Sequence, residues 1–338
     1  MQKQILIGKS LSQLKELVAE LKMPSFTAKQ IVEWLYEKRA TDFEMMTNIS
    51  KSNRQKLSET CDIGLYAPMH QVVSTDGTEK YLFKLHDGYT IETVYIPDRE
   101  RATLCVSSQV GCKMNCLFCM TGKQGFQRNL TTSEIINQIL SVPHSEQLTH
   151  IVFMGMGDPT DNLDAVLESI EILTSSWGMA WSPKRITLST VGIRKGVKRF
   201  LDESKCHLAV SLHAPDGRRA RYMPAEKAFP ISEMIPMLRE YDFSHQRRLS
   251  FEYIMLQGVN DSKEDAIKLA ELLKGLDCRV NLIRYHTIPG ISFKSSADST
   301  IEAFRDQLNI LGITATIRAS RGEDVSAACG MLASQKSK

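Results

Sequence analysis

The sequence predicts an α/β protein whose strands form a mainly parallel sheet, curved into a partial TIM-like (β/α)6 barrel. After residue 100, short apolar runs alternate with helical stretches, a pattern typical of a parallel sheet. About six such units follow one another, fewer than the eight of a complete barrel. Glycines and polar residues follow most of the apolar runs, and in parallel barrels the chemistry lies at the carboxyl ends of the strands. We therefore expect an open-sided barrel with one pocket at that end.

Residues 1–60 come before this alternation and predict a small helical domain. Apolar residues recur at helical spacing within residues 10–22. A second helix is predicted over residues 27–39, and a third after an N-cap at Asn48 or Ser50.

Charge adds little to this picture. The net charge of +3 is too small to indicate a nucleic-acid partner by itself. Residues 1–60 hold ten Lys and Arg against seven Asp and Glu, and the remainder holds 32 of each, so the excess lies in the helical domain. No run of eighteen apolar residues and no charged-then-apolar leader occurs, so we expect neither a membrane span nor a signal peptide. A cytoplasmic location follows, which also suits free thiols.

Residues 61–97 predict a β-hairpin or small meander that connects the helical domain to the core, residues 98–338. The apolar period changes towards two between residues 72 and 96. The dipeptides Asp76-Gly77 and Asp87-Gly88 are typical of tight turns between antiparallel strands.

The core is predicted to begin with its first parallel strand soon after residue 100. The predicted strands cover residues 102–108, 148–154, 185–190, 207–212, 249–256, 278–285 and 313–318. Several candidate residues stand where a predicted strand ends: 155–158, Ser189, 211–213 and 285–286. If the strands are parallel, these residues surround one pocket.

The most specific motif is the CxxxCxxC loop formed by Cys112, Cys116 and Cys119, at the mouth of a strand-to-helix turn. Four-iron clusters usually take four cysteine ligands, so three thiolates leave one iron open to a small molecule. Zinc is an alternative, although structural zinc sites use four ligands. A disulfide framework is a weaker one, because the chain is long and its cysteines are few.

The loop resembles that of the radical S-adenosylmethionine (SAM) enzymes. Its flanks, CVSSQVGC and TGKQGFQRNLT, closely resemble the RlmN family of RNA adenine methyltransferases, as do MGMGDP, SLHAP, YIMLQGVND and RGEDVSAACG further along the chain. The resemblance implies a radical SAM barrel that methylates carbon 2 of an adenine in 23S ribosomal RNA and in transfer RNA. The sibling family Cfr methylates carbon 8 of the same ribosomal base and remains the alternative, although MTGKQGF and IETVYIP favour the carbon 2 family.

The resemblance also implies a set of SAM contacts. They are Gly157, Asp158, Ser189, Ser211, Leu212, His213 and His286, with Cys112, Cys116 and Cys119 holding a [4Fe-4S] cluster. Two positions depart from the family pattern: Asp158 stands where Glu is usual, and His286 where Asn is usual. Taken alone, each contact residue is unremarkable, since a His beside a core strand is more often structural.

Three further residues match the catalytic positions of the family. Cys329 matches the methyl-carrying cysteine, Cys105 its resolving partner, and Glu92 an active-site glutamate in the strand IETV. Without the resemblance, Cys329 would be taken for a packed core thiol and Glu92 for a solubility residue. Cys61, Cys206 and Cys278 match nothing catalytic, and we expect them to be buried.

The resemblance implies a mechanism with two SAM molecules per turnover. One SAM methylates Cys329. A second, bound to the open iron, yields a 5′-deoxyadenosyl radical that takes hydrogen from the S-methyl group. The carbon radical adds to adenine, and a base such as Glu92 removes the ring proton. Cys105 attacks the sulfur of Cys329, which releases the RNA from the protein and leaves a Cys105–Cys329 disulfide. Radical chemistry suits carbon 2 because this carbon is neither acidic nor nucleophilic.

Other expectations concern partners. Reduction requires an electron donor such as flavodoxin or ferredoxin, and we expect a monomer. Two alternatives differ in class: a non-catalytic RNA-binding protein with a structural zinc, and a radical SAM enzyme with another substrate. The second would leave Cys105 and Cys329 without a function.

Overall fold

The computed structural model describes residues 3–245 and 247–333, and it begins with a helical unit. The elements are β1 (Gln4–Ile5), α1 (Leu11–Glu20), α2 (Thr27–Val32), α3 (Lys51–Thr60) and β2 (Cys61–Asp62). Strands β1 and β2 pair in parallel and close the unit. Ser50 caps α3 by accepting the Asn53 N–H, so one of the two predicted caps is correct. The second predicted helix continues past α2 as a π-helical turn over Glu33–Glu37.

Three antiparallel strands follow: β3 (His70–Val73), β4 (Glu79–Lys84) and β5 (Thr90–Asp98). The turns between them contain Gly77 and Gly88, whose φ angles of 81° and 85° suit glycine. The predicted meander is therefore present. It joins the main sheet, because β5 pairs with the first strand of the barrel, and the predicted boundary at residue 97 falls within β5.

The remaining strands belong to the barrel, apart from one short antiparallel pair. They are β6 (Arg101–Cys105), β7 (Gln109–Gly111), β8 (Phe126–Asn129), β9 (His150–Phe153), β10 (Ile186–Thr190), β11 (His207–Ser211), β12 (Leu249–Met255), β13 (Cys278–Arg284) and β14 (Thr314–Ile317). Strands β7 and β8 are that pair and form a separate two-stranded sheet. The helices are α4 (Met120–Lys123), α5 (Thr132–Ser141), α6 (Leu163–Thr174), α7 (Arg194–Glu203), α8 (Ile231–Leu238), α9 (Lys263–Leu273) and α10 (Asp298–Ile310).

One ten-stranded sheet contains all the barrel strands in the order β14-β13-β12-β11-β10-β9-β6-β5-β4-β3. Pairing is parallel from β14 to β6 and antiparallel from β6 to β3. The seven predicted parallel strands are all present. The first is shorter than predicted, because beyond Cys105 the chain leaves the ladder and the Ser107 N–H donates to the Gln138 side chain.

Burial follows this architecture. Strand β12 is buried at all seven positions, as expected for a parallel strand covered on both faces. The predicted structural thiols Cys61, Cys206 and Cys278 are buried. Within the described residues, no helix combines the length and the apolar character needed to cross a membrane.

Candidate active site

The CxxxCxxC loop, residues 112–119, connects the antiparallel strands β7 and β8 at the carboxyl end of the barrel. Gly111 precedes it with a φ of 75°, and a Cβ there would collide with the Gly125 carbonyl. A side chain at position 111 is therefore excluded. After the loop, Thr131 and Glu134 form the capping box that begins α5.

The three thiols of this loop line one chamber of about 150 Å³, named here the inner chamber. Burial, followed by the charges of Cys119 and Cys112, raises the pKa of Cys116 well above its usual value. Burial also raises the pKa of Cys112 to about 12. Bound iron would reverse this preference, because a metal holds its cysteine ligands as thiolates.

These thiols fit a cluster better than a single ion. In the described parts of the chain, no group of three or more His, Cys, Asp and Glu side chains has the spacing to hold one metal ion. In a four-iron cluster each thiolate binds a different iron, so the ligands stand farther apart than those of one ion. A structural zinc needs four ligands around one ion.

The wall of the inner chamber contains most of the predicted SAM contacts: Gly157, Asp158, Ser189, Ser211 and His213. They lie at or just beyond the carboxyl ends of β9, β10 and β11, so the parallel sheet brings them together. Gly157 has a φ of 92° and packs against the Gln109 side chain.

Asp158 lies in this wall but uses its carboxylate internally. It accepts hydrogen bonds from the Thr160 N–H and hydroxyl, the Thr190 hydroxyl and the Val191 N–H. Burial raises its pKa in spite of these bonds. The carboxylate therefore joins two loops, and the backbone of Asp158 is also bonded internally, since its N–H donates to Gln109 Oε1.

His213 stands at the end of β11 with a φ of 58°. Its Nδ1 accepts the Ile254 N–H at 3.0 Å, and its ring packs edge-on against Phe118 with centroids 4.7 Å apart. Burial and the Arg219 charge lower its pKa to about 3, so the imidazole is neutral and its Nε2 carries the proton. Leu212 is buried, and its N–H and carbonyl are bonded to Glu252 and Arg219. The predicted Leu212 contact therefore has no free backbone group in this structure.

A second space of about 530 Å³, the outer cavity, runs through the barrel interior and shares Cys119, Gly155 and Cys329 with the inner chamber. Cys105 and Cys329 both line it. Burial, then the Cys329 charge, raises the pKa of Cys105 to about 12. Cys329 is exposed to the cavity but surrounded by protein, so burial raises its pKa and the Arg318 guanidinium partly offsets the rise.

His286 lines the outer cavity rather than the inner chamber. Its Nε2 lies 3.2 Å from the Ser320 hydroxyl, and Glu323 approaches its Nδ1 at 3.9 Å. Burial lowers its pKa. The structure thus separates His286 from Ser189, Ser211 and His213.

Residues 322–333, named here the C-terminal segment, hold Cys329 in place. The carboxylates of Asp76 and Asp324 connect it to the meander: Asp76 accepts the Gly322 N–H, and Asp324 accepts the Ser74 hydroxyl and the Thr75 N–H. On its other side, the Met120 N–H donates to the Gly330 carbonyl. The sequence did not reveal these anchors, because Asp76-Gly77 predicted only a turn.

Glu92 also contacts the C-terminal segment. Its Oε2 accepts the Ala333 N–H at 2.8 Å, and its Oε1 lies 3.0 Å from Lys80 Nζ. Glu92 is buried and does not line either space. In this structure its carboxylate fixes the end of the segment.

Arg318 and Glu252 were not predicted either. They form an ion pair at 3.3 Å beside the two cysteines, and Ser250 and Asn281 donate to the same carboxylate. Polar residues alternate with apolar ones in the first halves of β12 and β13, at positions 250, 252, 279 and 281, and this alternation was the available signal for Glu252.

Two family models match the chain. The radical SAM superfamily model matches residues 106–291, and a model described as the ribosomal RNA large subunit methyltransferase N-terminal domain matches residues 5–63.

Similar proteins cover the whole chain. A Bacteroides thetaiotaomicron protein named "Probable dual-specificity RNA methyltransferase RlmN" is 57% identical over 337 residues, which is 99% of this chain and 98% of that protein. A Desulfotalea psychrophila protein named "Dual-specificity RNA methyltransferase RlmN" is 42% identical, with 97% and 94% covered. The crystal structure of a radical SAM methyltransferase from Sphaerobacter thermophilus superposes with a TM-score of 0.92 at 40% identity, covering 97% of this chain and 99% of that one.

Proposed function

Because the chain belongs to the RlmN family of radical SAM RNA methyltransferases, we propose that it methylates carbon 2 of an adenine in 23S ribosomal RNA and in transfer RNA. One observation carries the proposal. Cys105 and Cys329, far apart in the chain, line a single cavity that opens onto Cys119 of the CxxxCxxC loop. A non-catalytic RNA-binding protein would have no use for two thiols in this position.

The cofactors of this family are a [4Fe-4S] cluster and SAM, which together supply the radical chemistry. Cys112, Cys116 and Cys119 are the residues we propose to hold the cluster. SAM binds beside them, with Gly157, Ser189, Ser211 and His213 as its contacts. The neutral His213 offers an Nε2–H donor, and the glycine allows close approach of the ligand to the backbone.

We assign the two cysteines different steps of the methyl transfer. Cys329 is exposed to the cavity, and we assign it the methyl group that is passed to the adenine. Its thiolate is the nucleophilic form, and the Arg318 charge favours that form. Cys105 is buried on β6 and lines the same cavity, and we assign it the attack on the sulfur of Cys329 when the product leaves.

Glu92 is the carboxylate that we propose for removal of the ring proton. Its oxygens are occupied by Lys80 and by the Ala333 N–H. The base role therefore requires the end of the C-terminal segment to release Oε2 during the cycle.

Partners and location follow from the chemistry. Resetting a Cys105–Cys329 disulfide and reducing the cluster both consume electrons, so a flavodoxin or ferredoxin is the donor we propose. An enzyme acting on ribosomal and transfer RNA works where those RNAs are, hence in the cytoplasm, and we propose a monomer.

The test is mass spectrometry of nucleosides from ribosomal and transfer RNA of cells with and without this gene. We expect 2-methyladenosine to disappear from both RNA pools and to return when the gene is restored. Loss of 8-methyladenosine instead would assign the chain to carbon 8 chemistry. If neither nucleoside changes, the proposal is wrong.

A further inference from the structure

Six consecutive parallel strands each carry a basic residue at the end opposite the CxxxCxxC loop. Three of these residues begin their strand, two directly precede it, and one is the second residue. They are Arg101, His150, Arg185, His207, Arg248 and Arg279, named here the basic ring. None of the residues assigned above to SAM, the cluster or the methyl transfer belongs to this set.

The basic ring faces the inside of the barrel. Side chains two residues apart on a strand share a face. Arg101 therefore points to the same side as Cys105, which lines the outer cavity, and Arg279 to the same side as Asn281 and Ile283, which also line it. Four ring members line the outer cavity themselves: Arg101, His207, Arg248 and Arg279.

The charge of the ring is unbalanced. In the described parts of the chain, the side chains of Arg185, Arg248 and Arg279 are exposed and make no ion pair or hydrogen bond. Burial, followed by the charges of Arg318 and Arg248, lowers the pKa of Arg101, so these cations oppose one another.

The two histidines add no charge at neutral pH. Burial and neighbouring cations lower the pKa of both His150 and His207 to about 4. The acids nearby are Asp98, which pairs with Arg321, and Asp277, in the groove beside Arg248 and Arg279. Three guanidinium groups of the ring, those of Arg101, Arg248 and Arg279, thus line the outer cavity, and the carboxylates of Asp98 and Asp277 lie beside them.

Charged residues at strand ends often serve only to keep one end of a barrel in water. Keeping a strand end in water requires no particular sign of charge, so acidic residues would serve as well as basic ones. Here none of the six positions is acidic and four are arginine, three of these arginines make no side-chain bond to the residues that the structure describes, and the ring opens into a cavity lined by Cys105 and Cys329. A site for a polyanion explains all three features together.

We propose that the basic ring binds the phosphates of the RNA on either side of the target adenine, and that the adenine reaches Cys105 and Cys329 through this end of the barrel. The inference rests on the proposed function and adds the route of the substrate. Enzymes that react with a base extrude it from its stack into a pocket. Arg101 and Cys105 are four residues apart on β6, or about 13 Å, so the base enters the barrel while its phosphates stay outside.

The outer cavity has the size this route requires. Its volume of about 530 Å³ lies within the range of roughly 300–1,000 Å³ found for ligand sites. Thr103, Ser250 and Asn281 also line it, so its wall is partly polar.

An acidic protein partner, such as an electron donor, is the competing occupant. A donor must approach the cluster, which lies at the opposite end of the barrel. Strand β12 alone separates the two ends by about 20 Å, since it rises about 3.3 Å per residue. The position of the ring therefore favours RNA.

The test compares two double variants that remove the same charge. Arg248→Gln with Arg279→Gln changes the ring, and Lys195→Gln with Lys263→Gln changes exposed lysines on α7 and α9. Each is titrated with unmodified 23S ribosomal RNA over a series of salt concentrations. The ring variant should bind roughly tenfold more weakly, and the slope of log K against log salt should fall by about two, one per lost phosphate contact. The lysine variant should match the wild type.

Two further measurements keep the result decisive. Arg248→Lys with Arg279→Lys retains the charges and should restore most of the slope. Equal melting temperatures show that the ring variant is folded. Unchanged RNA affinity and slope in the ring variant would overturn the route, and so would normal RNA binding with impaired reduction by the donor. A wild type that binds RNA and forms 2-methyladenosine while the ring variant is unchanged leaves the proposed function intact.

Discussion

The inner chamber and the C-terminal segment meet at the same cavity but are held in different ways. Asp158, in the chamber, is 3% exposed and joins two loops through hydrogen bonds from four groups. The segment is held to the meander by a few hydrogen bonds, through Asp76 of the meander and through its own exposed Asp324. The chamber is part of the core, and the segment is fastened onto it. Such a fastening suits a segment whose Cys329 must meet a methyl donor, the adenine and Cys105 in turn.

Removing either cavity thiol should have the largest effect. We expect Cys329→Ala and Cys105→Ala to abolish formation of 2-methyladenosine, because each removes an atom that forms or breaks a bond. SAM binding should persist in both, since neither thiol is among the proposed SAM contacts or cluster ligands. Isothermal titration with SAM and nucleoside mass spectrometry check the two statements.

The control for this prediction is Cys206→Ala, which removes a buried thiol elsewhere in the barrel. It should retain methylation at a modest cost in stability. Methylation by Cys329→Ala at the wild-type rate would remove the methyl-carrying role from the C-terminal segment.

Asp158→Ala should lower the stability of the protein as well as its affinity for SAM. It leaves the buried N–H groups of Thr160 and Val191 without a partner, at a cost of about 2–4 kcal/mol in the free energy of unfolding. Loss of SAM affinity should accompany it. Denaturant unfolding and SAM titration measure both, and a stability equal to that of the wild type would show that the chamber is not built on this carboxylate.

The two regions also differ in what the sequence revealed. The CxxxCxxC spacing, the strand-helix alternation and the residues at strand ends predicted the barrel and the chamber, because strand direction brings those ends together. The use of Asp158 could not be predicted, since its partners Thr190 and Val191 belong to another loop. Likewise, the anchors of Cys329 pair residues near 76 with residues near 324, a contact that no local pattern specifies.

The basic ring shows a signal that was present but not recognised. A basic residue at the start of one strand indicates nothing until the fold shows that the strands are parallel neighbours. The net charge of the chain does not reveal these residues either, because acidic residues elsewhere balance them. Placement in the fold, rather than composition, makes the four arginines a site.

Asp324→Ala should leave stability unchanged and loosen only the C-terminal segment. The carboxylate is exposed, and its loss removes one partner each from the Ser74 hydroxyl and the Thr75 N–H at the edge of the meander. We expect a several-fold lower rate of 2-methyladenosine formation with an unchanged melting temperature. Hydrogen exchange should become faster in residues 320–333 and remain the same in the loops of Asp158. Faster exchange in both regions would contradict the separation of chamber and segment.

The smallest expected effect is that the stability contributions of Asp76 and Asp158 change with pH in opposite directions. Burial alone would raise the pKa of Asp76, but hydrogen bonds from Thr78, Gly322 and Ser74 outweigh it and hold the pKa at about 2. A lowered pKa stabilises the fold above the unfolded value and loses that contribution as pH falls through the folded value. The melting-temperature difference between the wild type and Asp76→Asn should therefore be constant above about pH 5 and shrink between about pH 4 and 2. For Asp158, burial raises the pKa, so the melting temperature of the wild type should rise relative to that of Asp158→Asn as pH falls. Equal trends in the two series would mean that chamber and segment are held by the same kind of interaction.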